Sequence, residues 1–388
     1  MLYLYTISFD GYHLFTHLSY PVKIDSKEQL MKRRDLILGA GAMGLAAPTK
    51  TKAADKETFK WKMVTTWPPN FPGLGTGAMK MAKNIEKASS GRLKIKVFGG
   101  GELVPPFEVF DYVSGGGAEM GHGAAYYWRG KSDASQIFTA LPFGLNAMEM
   151  NGWFYYGGGL ELYRDLYEPF NLHPFPAGNS GCQMGGWFKN EIKSAADLQG
   201  LKMRIPGLGG EILRRAGGTP VSLPGGEIFT ALQTGTVDAA EWIGPYNDLT
   251  FGFHNAAKYY YYPGWHETGP TLECIVNKEA FDSLPPDLQA IVEIAASATN
   301  DQMLAEFMAR NAFALTEIEQ MDDVKILPFP DDVMTALEQA SDEIIAEISA
   351  RDEKFKTIYQ SFLDYMSTVS KWTEISEFAM LANRYKKD

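Results

Sequence analysis

Residues 217–245 read GGTPVSLPGGEIFTALQTGTVDAAEWIGP, and this stretch decides the fold of the 388-residue chain. It predicts a helix over residues 227–233 that ends at a glycine, followed by a short buried strand over residues 239–243. The predicted strand places an acid and a tryptophan side by side, Glu241 and Trp242. A carboxylate in an otherwise apolar strand is costly unless a partner compensates for its charge. The stretch therefore indicates an α/β unit with a functional group at the end of its strand.

Strand and helix patterns alternate outward from this stretch in both directions. The patterns predict strands over residues 60–67, 93–98, 118–127, 176–187 and 201–205, and helices over residues 77–88, 105–113 and 210–215. Alternating strands and short helices imply mostly parallel, doubly wound sheets, whose ligand sites lie outside the carboxyl ends of the strands. Since the length allows two such units, we expect an α/β fold of two lobes.

The C-terminal third is predicted to be mainly helical. An aromatic strand over residues 259–277 is expected to cross between the lobes, and long helices follow over residues 285–321 and from 331 to about 365. The last helical stretch carries an apolar stripe of Met334, Leu337, Ile344, Ile345, Ile348, Phe355, Tyr359 and Phe362. Such a stripe covers either the lobes of its own chain or a partner, and the pattern does not distinguish the two.

Composition and charge exclude several classes of protein. The net charge is −11 and no basic stripe occurs, which argues against nucleic-acid binding. The two cysteines, Cys182 and Cys274, are too few for a structural zinc site and form no CxxC motif. With 45% hydrophobic and 21% charged residues, the chain has the composition of an ordinary globular protein.

Residues 31–54 read MKRRDLILGAGAMGLAAPTKTKAA and have the pattern of an export signal: a basic start, a short apolar run and small residues. Arg33 and Arg34 directly precede the apolar run, as in twin-arginine signals. The run is too short to span a bilayer. We therefore expect a periplasmic protein, in which residues 1–30 are an extension that results from a misassigned start codon.

The same segment contains GAGAMG, residues 39–44, which has the GxGxxG spacing of dinucleotide-binding proteins. That motif needs a buried strand before it and a helix of several turns after it. Only three apolar residues precede these glycines, and Pro48 and a lysine-threonine run follow them. We interpret the glycines as part of the export signal and disfavour a dinucleotide-binding oxidoreductase.

Several polar or aromatic residues lie at or near predicted strand ends, where ligand groups are expected. These candidate binding residues are Tyr127, Gln183, Arg204, Glu241, Trp242 and Glu267. Arg204 lies in LKMRIPG, between an apolar strand and a turn, and its planar guanidinium suits a ligand carboxylate. The alternative for Arg204 is an internal salt bridge with a nearby acid.

Glu241 and Glu267 are both acids in apolar surroundings. In contact they would repel each other by roughly 4 kcal/mol at an effective dielectric constant near 20, so a cation is needed. Carboxylate oxygens, the amide oxygen of Gln183 and a backbone carbonyl form the ligand set of a hard ion, calcium or sodium. We interpret the lone His266 as structural, which disfavours zinc and copper. Paired acids also suit a metal-dependent enzyme, but no nucleophile motif accompanies them.

Three segments together resemble the extracytoplasmic substrate-binding proteins of TRAP (tripartite ATP-independent periplasmic) transporters: LKMRIPG (201–207), the stretch 217–245 and GWHETGPTLECIVN (264–277). The resemblance covers about residues 59–362. It implies the two-lobed periplasmic binding protein fold, with doubly wound sheets and long C-terminal helices. It also implies a receptor, not an enzyme, that closes over a small organic anion and delivers it to a membrane permease.

The resemblance is greatest to members that bind 2-oxo acids or lactate together with a metal ion. It implies that Arg204 grips the ligand carboxylate. The implied metal ligands are Gln183, Glu241, the backbone oxygen of Trp242, and Glu267. The implied further ligand contacts are Gln183, Trp242 and Tyr127, with Tyr126 as the alternative to Tyr127. Because a C-terminal helix can mediate a dimer in such members, we expect a homodimer.

We assign the segments of the chain accordingly. Residues 1–30 are the extension, 31–54 the export signal, 55–180 mainly lobe 1, 181–263 mainly lobe 2, 264–330 a return to lobe 1 with a connecting helix, and 331–388 long C-terminal helices that offer a dimerisation surface.

Overall fold

The computed structural model describes residues 57–386, which form an α/β structure built on two β-sheets. The predicted extension, the predicted export signal and the GxGxxG stretch lie outside the described residues. Within residues 57–386, no helix is both long and apolar enough to cross a membrane.

The first sheet consists of β1 (Phe59–Thr65), β2 (Leu93–Phe98), β3 (Met120–Gly123), β4 (Leu172–Asn179) and β10 (Thr271–Asn277). Their order across the sheet is β2-β1-β3-β10-β4. β1 runs parallel to β2 and β3, whereas β10 runs antiparallel to β3 and β4. The first sheet is therefore mixed.

The second sheet consists of β5 (Gly186–Phe188), β6 (Lys202–Arg204), β7 (Thr219–Val221), β8 (Ala239–Ala240), β9 (Tyr259–Tyr262) and β11 (Lys325–Pro328). Their order is β11-β9-β5-β8-β6-β7. β6 runs parallel to both β7 and β8, while β5 runs antiparallel to β8 and β9. The carboxyl ends of β6 and β8 therefore lie side by side.

Helices cover both sheets. The α-helices of the described residues are α1 (Leu74–Ala88), α2 (Val109–Ser114), α3 (Ala147–Tyr156), α4 (Gly159–Tyr167), α5 (Gly207–Arg215), α6 (Gly225–Thr234), α7 (Pro245–Phe251), α8 (Lys278–Asp282), α9 (Pro286–Glu319), α10 (Asp331–Arg351), α11 (Glu353–Thr373) and α12 (Ala379–Tyr385). The long α9 buries Leu288 and Val292 in the core of the first sheet. Further along α9, Asn311 accepts a hydrogen bond of 3.0 Å from the backbone N–H of Tyr246 on α7, beside the second sheet.

Two predicted strands are wrong in extent. The strand predicted over 176–187 is divided between β4 and β5, because residues 180–185 leave the first sheet and enter the second. Gly181 helps this turn with a φ of 71°, a conformation that favours glycine. The strand predicted over 259–277 is likewise divided between β9 and β10, and residues 263–270 lead back to the first sheet. The apolar pattern of a sequence does not show where the chain leaves one sheet and enters another.

The predicted, mostly parallel pairing is only partly observed. Four of the nine strand pairs are antiparallel, and each of them involves β5 or β10. Both strands follow directly on a connection between the sheets, and not on a crossover helix. Parallel pairing is typical of strands that such helices join.

The apolar stripe of the C-terminal helices lies against the chain's own core. Leu337, Ile345, Phe355 and Phe362 are buried there, and the Phe362 ring lies 5.3 Å from the Trp153 ring, measured between centroids. The suggestion that this stripe forms a dimer surface is therefore wrong. Exposed apolar side chains occur instead from the last turn of α11 onward, at Trp372, Ile375, Phe378, Met380, Leu381 and Tyr385.

Candidate metal and carboxylate site

The site lies where the ends of β6 and β8 meet the two connections between the sheets. Arg204 is the last residue of β6, and Glu241 directly follows β8. The backbone N–H of Glu241 donates to the carbonyl of Arg204 over 3.1 Å, which places the two residues side by side. Gln183 lies in the first connection and Glu267 in the second.

Arg204 and Glu241 form an ion pair in which each side chain is only 1% exposed. The Nη1 of Arg204 donates to the Glu241 carboxylate and, over 3.0 Å, to the Glu241 backbone carbonyl. Its Nε donates to the carbonyl of Leu223 over 3.1 Å. Burial lowers the pKa of Arg204, but Glu241, Tyr127, Tyr126 and Glu267 together outweigh burial and raise this pKa overall. The guanidinium is therefore charged.

One nitrogen of the Arg204 guanidinium takes no part in these hydrogen bonds. The Nη2 of Arg204 is buried and has no hydrogen-bond partner among the described residues. The internal salt bridge predicted as an alternative is thus present, yet a buried donor stays available to a ligand. An unsatisfied buried donor of this kind is costly, and a bound carboxylate would remove that cost.

The two connections between the sheets are hydrogen-bonded to each other. The amide Nε2 of Gln183 donates to Glu267 Oε2 over 2.7 Å and to Ser180 Oγ over 3.1 Å. The backbone N–H of Gln183 donates to the carbonyl of Glu267 over 3.1 Å. These contacts turn the amide oxygen of Gln183 away, and that buried oxygen has no partner among the described residues.

Three buried side chains offer ligand atoms within 4.8 Å of one another: Glu241, His266 and Glu267. Burial, and then the charge of Glu241, raise the pKa of Glu267 well above its usual range. Ionisation of Glu267 beside Glu241, with a single guanidinium nearby, therefore calls for a further cation. The donor set, with the free amide oxygen of Gln183, fits a hard metal ion. Sequence reasoning missed the place of His266, whose Nε2 lies 3.2 Å from Glu241 Oε2; its position next to Glu267 was the available signal.

Aromatic side chains wall the site on the side of the first sheet. Tyr126 and Tyr127 lie on a 3₁₀ turn, Ala125–Trp128, and not at a strand end as predicted, because β3 ends at Gly123. Tyr126 lines a small cavity together with Glu267. Tyr127 lies next to Trp67, with ring centroids 6.3 Å apart.

Trp242 lies on the other side of the ion pair of Arg204 and Glu241. Its ring centre lies 5.2 Å from the guanidinium carbon of Arg204, a cation–π arrangement. Trp67 meets it edge-on at 6.3 Å, so the indoles of the two sides are in contact. Four of the six predicted binding residues therefore form one buried cluster, and the two aromatic ones lie at its walls.

Asp248 on α7 supports the segment that carries Glu241. Its buried carboxylate accepts hydrogen bonds from Trp187 Nε1 (3.1 Å) and the Tyr260 hydroxyl (2.8 Å). It also accepts from the backbone N–H groups of Ile243 (3.3 Å) and Gly244 (3.2 Å). Burial raises the pKa of Asp248 to about 7. This acid fixes the turn that directly follows Trp242.

Glu273 on β10 has the same surroundings on the side of the first sheet. Its buried carboxylate accepts hydrogen bonds from Trp128 Nε1 and the Tyr163 hydroxyl. Burial raises the pKa of Glu273 to about 7. Because Trp128 ends the 3₁₀ turn of Tyr126 and Tyr127, this acid fixes the aromatic wall.

Comparison with known proteins identifies the family. Residues 63–352 match the model of DctP, bacterial extracellular solute-binding protein, family 7. A curated relative from Nostoc sp. strain PCC 7120, named a monocarboxylate 2-oxoacid-binding periplasmic protein, is 42% identical over 90% of this chain and 98% of its own length.

Two solved structures are similar along most of the chain. A TRAP periplasmic solute-binding protein from Pseudoalteromonas atlantica, with bound sodium and pyruvate, is 42% identical with a TM-score of 0.82, over 84% of this chain and 99% of that one. A TRAP solute-binding protein from Bordetella bronchiseptica is 40% identical with a TM-score of 0.83, over 85% and 98%. It is described as a mixed-occupancy dimer with copurified calcium and picolinate.

The chain belongs to bacterial extracellular solute-binding protein family 7, and it is a substrate-binding receptor of the TRAP type. The resemblance stated from the three sequence segments is confirmed, as is the two-lobed α/β fold class. The family is one of transport receptors.

Proposed function

We propose that this receptor binds a small 2-oxo or 2-hydroxy monocarboxylate, with pyruvate as the first candidate, together with calcium or sodium. It would deliver the acid to the membrane permease subunits of a TRAP transporter. The observation that carries the proposal is the buried cluster of Arg204, Glu241, Glu267 and Gln183. It holds one guanidinium nitrogen and one amide oxygen that have no hydrogen-bond partner among residues 57–386. The 2-oxoacid-binding relative and the pyruvate-bound structure support the ligand class.

Charge determines the roles that we assign in the cluster. Glu241, Glu267 and a monocarboxylate total −3, and Arg204 contributes +1. Calcium would bring the total to 0, and sodium would bring it to −1. When bound, the cation supplies the positive charge that lets an anion lie beside two carboxylates.

The metal ligands that we propose are Gln183 Oε1, the Glu241 carboxylate, the backbone oxygen of Trp242, and Glu267. Arg204 would then turn from Glu241 to the ligand carboxylate, with its Nη2 as the first available donor. Tyr127 or Tyr126 would donate a hydroxyl to a ligand oxygen. Trp242 and Trp67 would exclude water from the closed site, which strengthens each of these contacts.

A melting-temperature screen tests this function. We expect pyruvate to stabilise the protein in the presence of calcium or sodium, and a chelator to remove the calcium-dependent part. The same screen with longer 2-oxo acids and with lactate ranks the ligands by their shift in melting temperature. Absence of any shift with all of these acids would contradict the proposal. The bound acid should be recovered unchanged by NMR, whereas its conversion would indicate the rival metal-dependent enzyme.

Export to the periplasm by the twin-arginine route is part of the proposal. It is supported by the paired arginines at 33 and 34 and by the family. N-terminal sequencing of the secreted protein should find a mature start near residue 55. A mature protein that keeps residues 39–44 would contradict the signal interpretation.

We also propose a homodimer that forms through the exposed apolar segment that begins in the last turn of α11. Trp372 is 63% exposed, Ile375 72% and Phe378 62%, which is unusual for large apolar side chains outside an interface. The dimeric relative from Bordetella bronchiseptica supports this. Sedimentation should show a dimer for the intact chain and a monomer for the double variant Ile375→Asp/Phe378→Asp. A monomeric intact chain would contradict it.

A further inference from the structure

A second cavity, of about 160 Å³, lies outside the buried cluster, at the mouth of the cleft. One wall is formed by Tyr126 and Tyr127, on the side of the first sheet, and the other by residues of the turn and helix after Arg204, among them Pro206 and Gly207. Tyr126 also lines the small inner cavity beside Glu267. The outer cavity is therefore the approach to the site.

Three charged side chains line this mouth and contact one another. Arg129 Nη1 and Arg214 Nη1 donate to the same oxygen of Glu211, over 2.7 Å and 2.6 Å. Two guanidinium groups thus share one carboxylate, and the cluster has a net charge of +1. The two groups lower the pKa of Glu211 although its partial burial raises it, so this carboxylate is ionised.

The net charge of +1 on this cluster is opposite in sign to the net charge of the chain. The chain as a whole has a net charge of −11. Arg215, the neighbour of Arg214 on α5, is paired instead with two acids, Glu343 and Glu347. The side chain of Arg214 is 57% exposed and that of Arg129 40%. Both keep N–H groups that form no hydrogen bond within the part of the chain that the structure describes.

We propose that Arg129 and Arg214 form an outer capture position for the carboxylate group of the ligand, and that Glu211 sets its net charge. This inference rests on the proposed binding of a small carboxylate. A cleft with walls of low dielectric constant concentrates the field of such a cluster and raises the association rate of an anion. Because rim charges act mainly on the association rate, the cluster changes the affinity only by the same modest factor.

Stopped-flow tryptophan fluorescence with pyruvate and calcium tests the proposal. At about 10 mM salt, where the Debye length is about 30 Å, Arg214→Gln should slow association roughly threefold and leave the dissociation rate unchanged. Glu211→Gln should accelerate association instead. Both effects should disappear near 0.5 M salt.

Lys278→Gln is the matched control. Lys278 also forms an ion pair along a helix, with Asp282 over 2.7 Å, but it lies on α8 and does not line the mouth. Its removal changes the net charge by the same amount and should leave the association rate unchanged.

Equal association rates for Arg214→Gln and Lys278→Gln, or slower association for Glu211→Gln, would overturn the capture position while the proposed function stands. A wild-type protein that binds no pyruvate at equilibrium would overturn both. The opposite signs expected for Arg214→Gln and Glu211→Gln separate an effect of charge from a general loss of packing.

Discussion

The two sides of the cleft contribute different chemistry to the site. The second sheet and the connections between the sheets carry the charged groups, with Arg204, Glu241 and Glu267 buried together. Among the described residues, the side of the first sheet supplies uncharged walls there, namely Trp67 and the tyrosines of the 3₁₀ turn. One side is thus built to hold ions, and the other is built to cover them.

The difference does not come from a lack of acids on the first side. Glu273 is as buried there as Asp248 is on the second side, and each accepts hydrogen bonds from an indole and a phenol. Both are structural acids that form no ion pair within residues 57–386. A buried carboxylate alone therefore does not make an ion site; the site needs two acids, a guanidinium and unpartnered oxygen and nitrogen atoms in one place.

The largest expected effect is that of replacing Arg204, and its absence would contradict the division of roles between the two sides of the cleft. Arg204→Gln should abolish stabilisation by pyruvate, which corresponds to at least a hundredfold loss of affinity, or about 3 kcal/mol. The measurement is the ligand-induced change in melting temperature. Because the single variant leaves Glu241 buried without its guanidinium partner, the double variant Arg204→Gln/Glu241→Gln serves as a neutral pair. Arg215→Gln, on exposed ion pairs, is the control. A shift retained in both Arg204 variants would show that charge on the second side is dispensable.

The next effect concerns the metal. Glu241→Gln should weaken calcium binding roughly tenfold or more, about 1.4 kcal/mol, because one of two anionic ligands is lost. The remaining pyruvate shift should be smaller and less sensitive to chelator. Isothermal titration with calcium alone measures this directly. Glu353→Gln, at an exposed position on α11, should titrate like the wild type.

The two structural acids, Glu273 and Asp248, test the comparison through the pH dependence of folding stability. Because burial raises the pKa of Glu273 to about 7, the folded protein keeps a proton that the unfolded chain releases above its ordinary value near 4.5. Stability from this group is present below pH 4.5 and is lost as pH rises to about 7, by at most on the order of 3 kcal/mol. Relative to the wild type, Glu273→Gln should therefore become more stable as pH rises through this window.

Urea unfolding at several pH values checks that expectation, and Asp248→Asn should behave in the same way. The two variants should differ in calcium titration. Asp248→Asn loosens the turn behind Glu241 and Trp242 and should weaken calcium binding, whereas Glu273→Gln should leave it unchanged. Equal effects on calcium would contradict the division of roles between the two sides.

The smallest expected effect distinguishes the two tyrosines of the wall. Loss of one hydroxyl that bonds the ligand costs about 1 kcal/mol, roughly fivefold in affinity. Tyr127→Phe should show this loss if Tyr127 is the contact, and Tyr126→Phe should show it if the alternative is correct. Titration with pyruvate at saturating calcium decides between them. If neither variant loses affinity for pyruvate, neither tyrosine hydroxyl bonds the ligand.

The sequence predicted the charged side of the site better than the fold around it. Arg204 and Glu241 could be recognised because each ends a short apolar strand next to a turn, so the local pattern contains the anomaly. Their meeting followed from parallel neighbouring strands, whose carboxyl ends share an edge. An internal salt bridge of Arg204 was predicted only as an alternative, and Glu241 was not named as its partner.

Other features depend on residues far apart in sequence, and no local pattern reports them. Trp128 and Glu273 are 145 positions apart, and Trp187 and Asp248 are 61 apart. The division of the stretch 176–187 between two sheets is of the same kind, since its apolar residues read as one strand. The roles of the site residues and the lobe boundaries stay predictions.

The 34 residues of α9 form one continuous rod of about 51 Å. It is embedded in the core beneath one sheet and tied through Asn311 to the helix beside the other. A rod held at both ends resists displacement as a spring does, so we expect the cleft to open by elastic bending of this rod and not by free swinging. Strain stored in the bent, open state would draw the two lobes back together, so a receptor of this kind would close again over its cargo without an external source of energy.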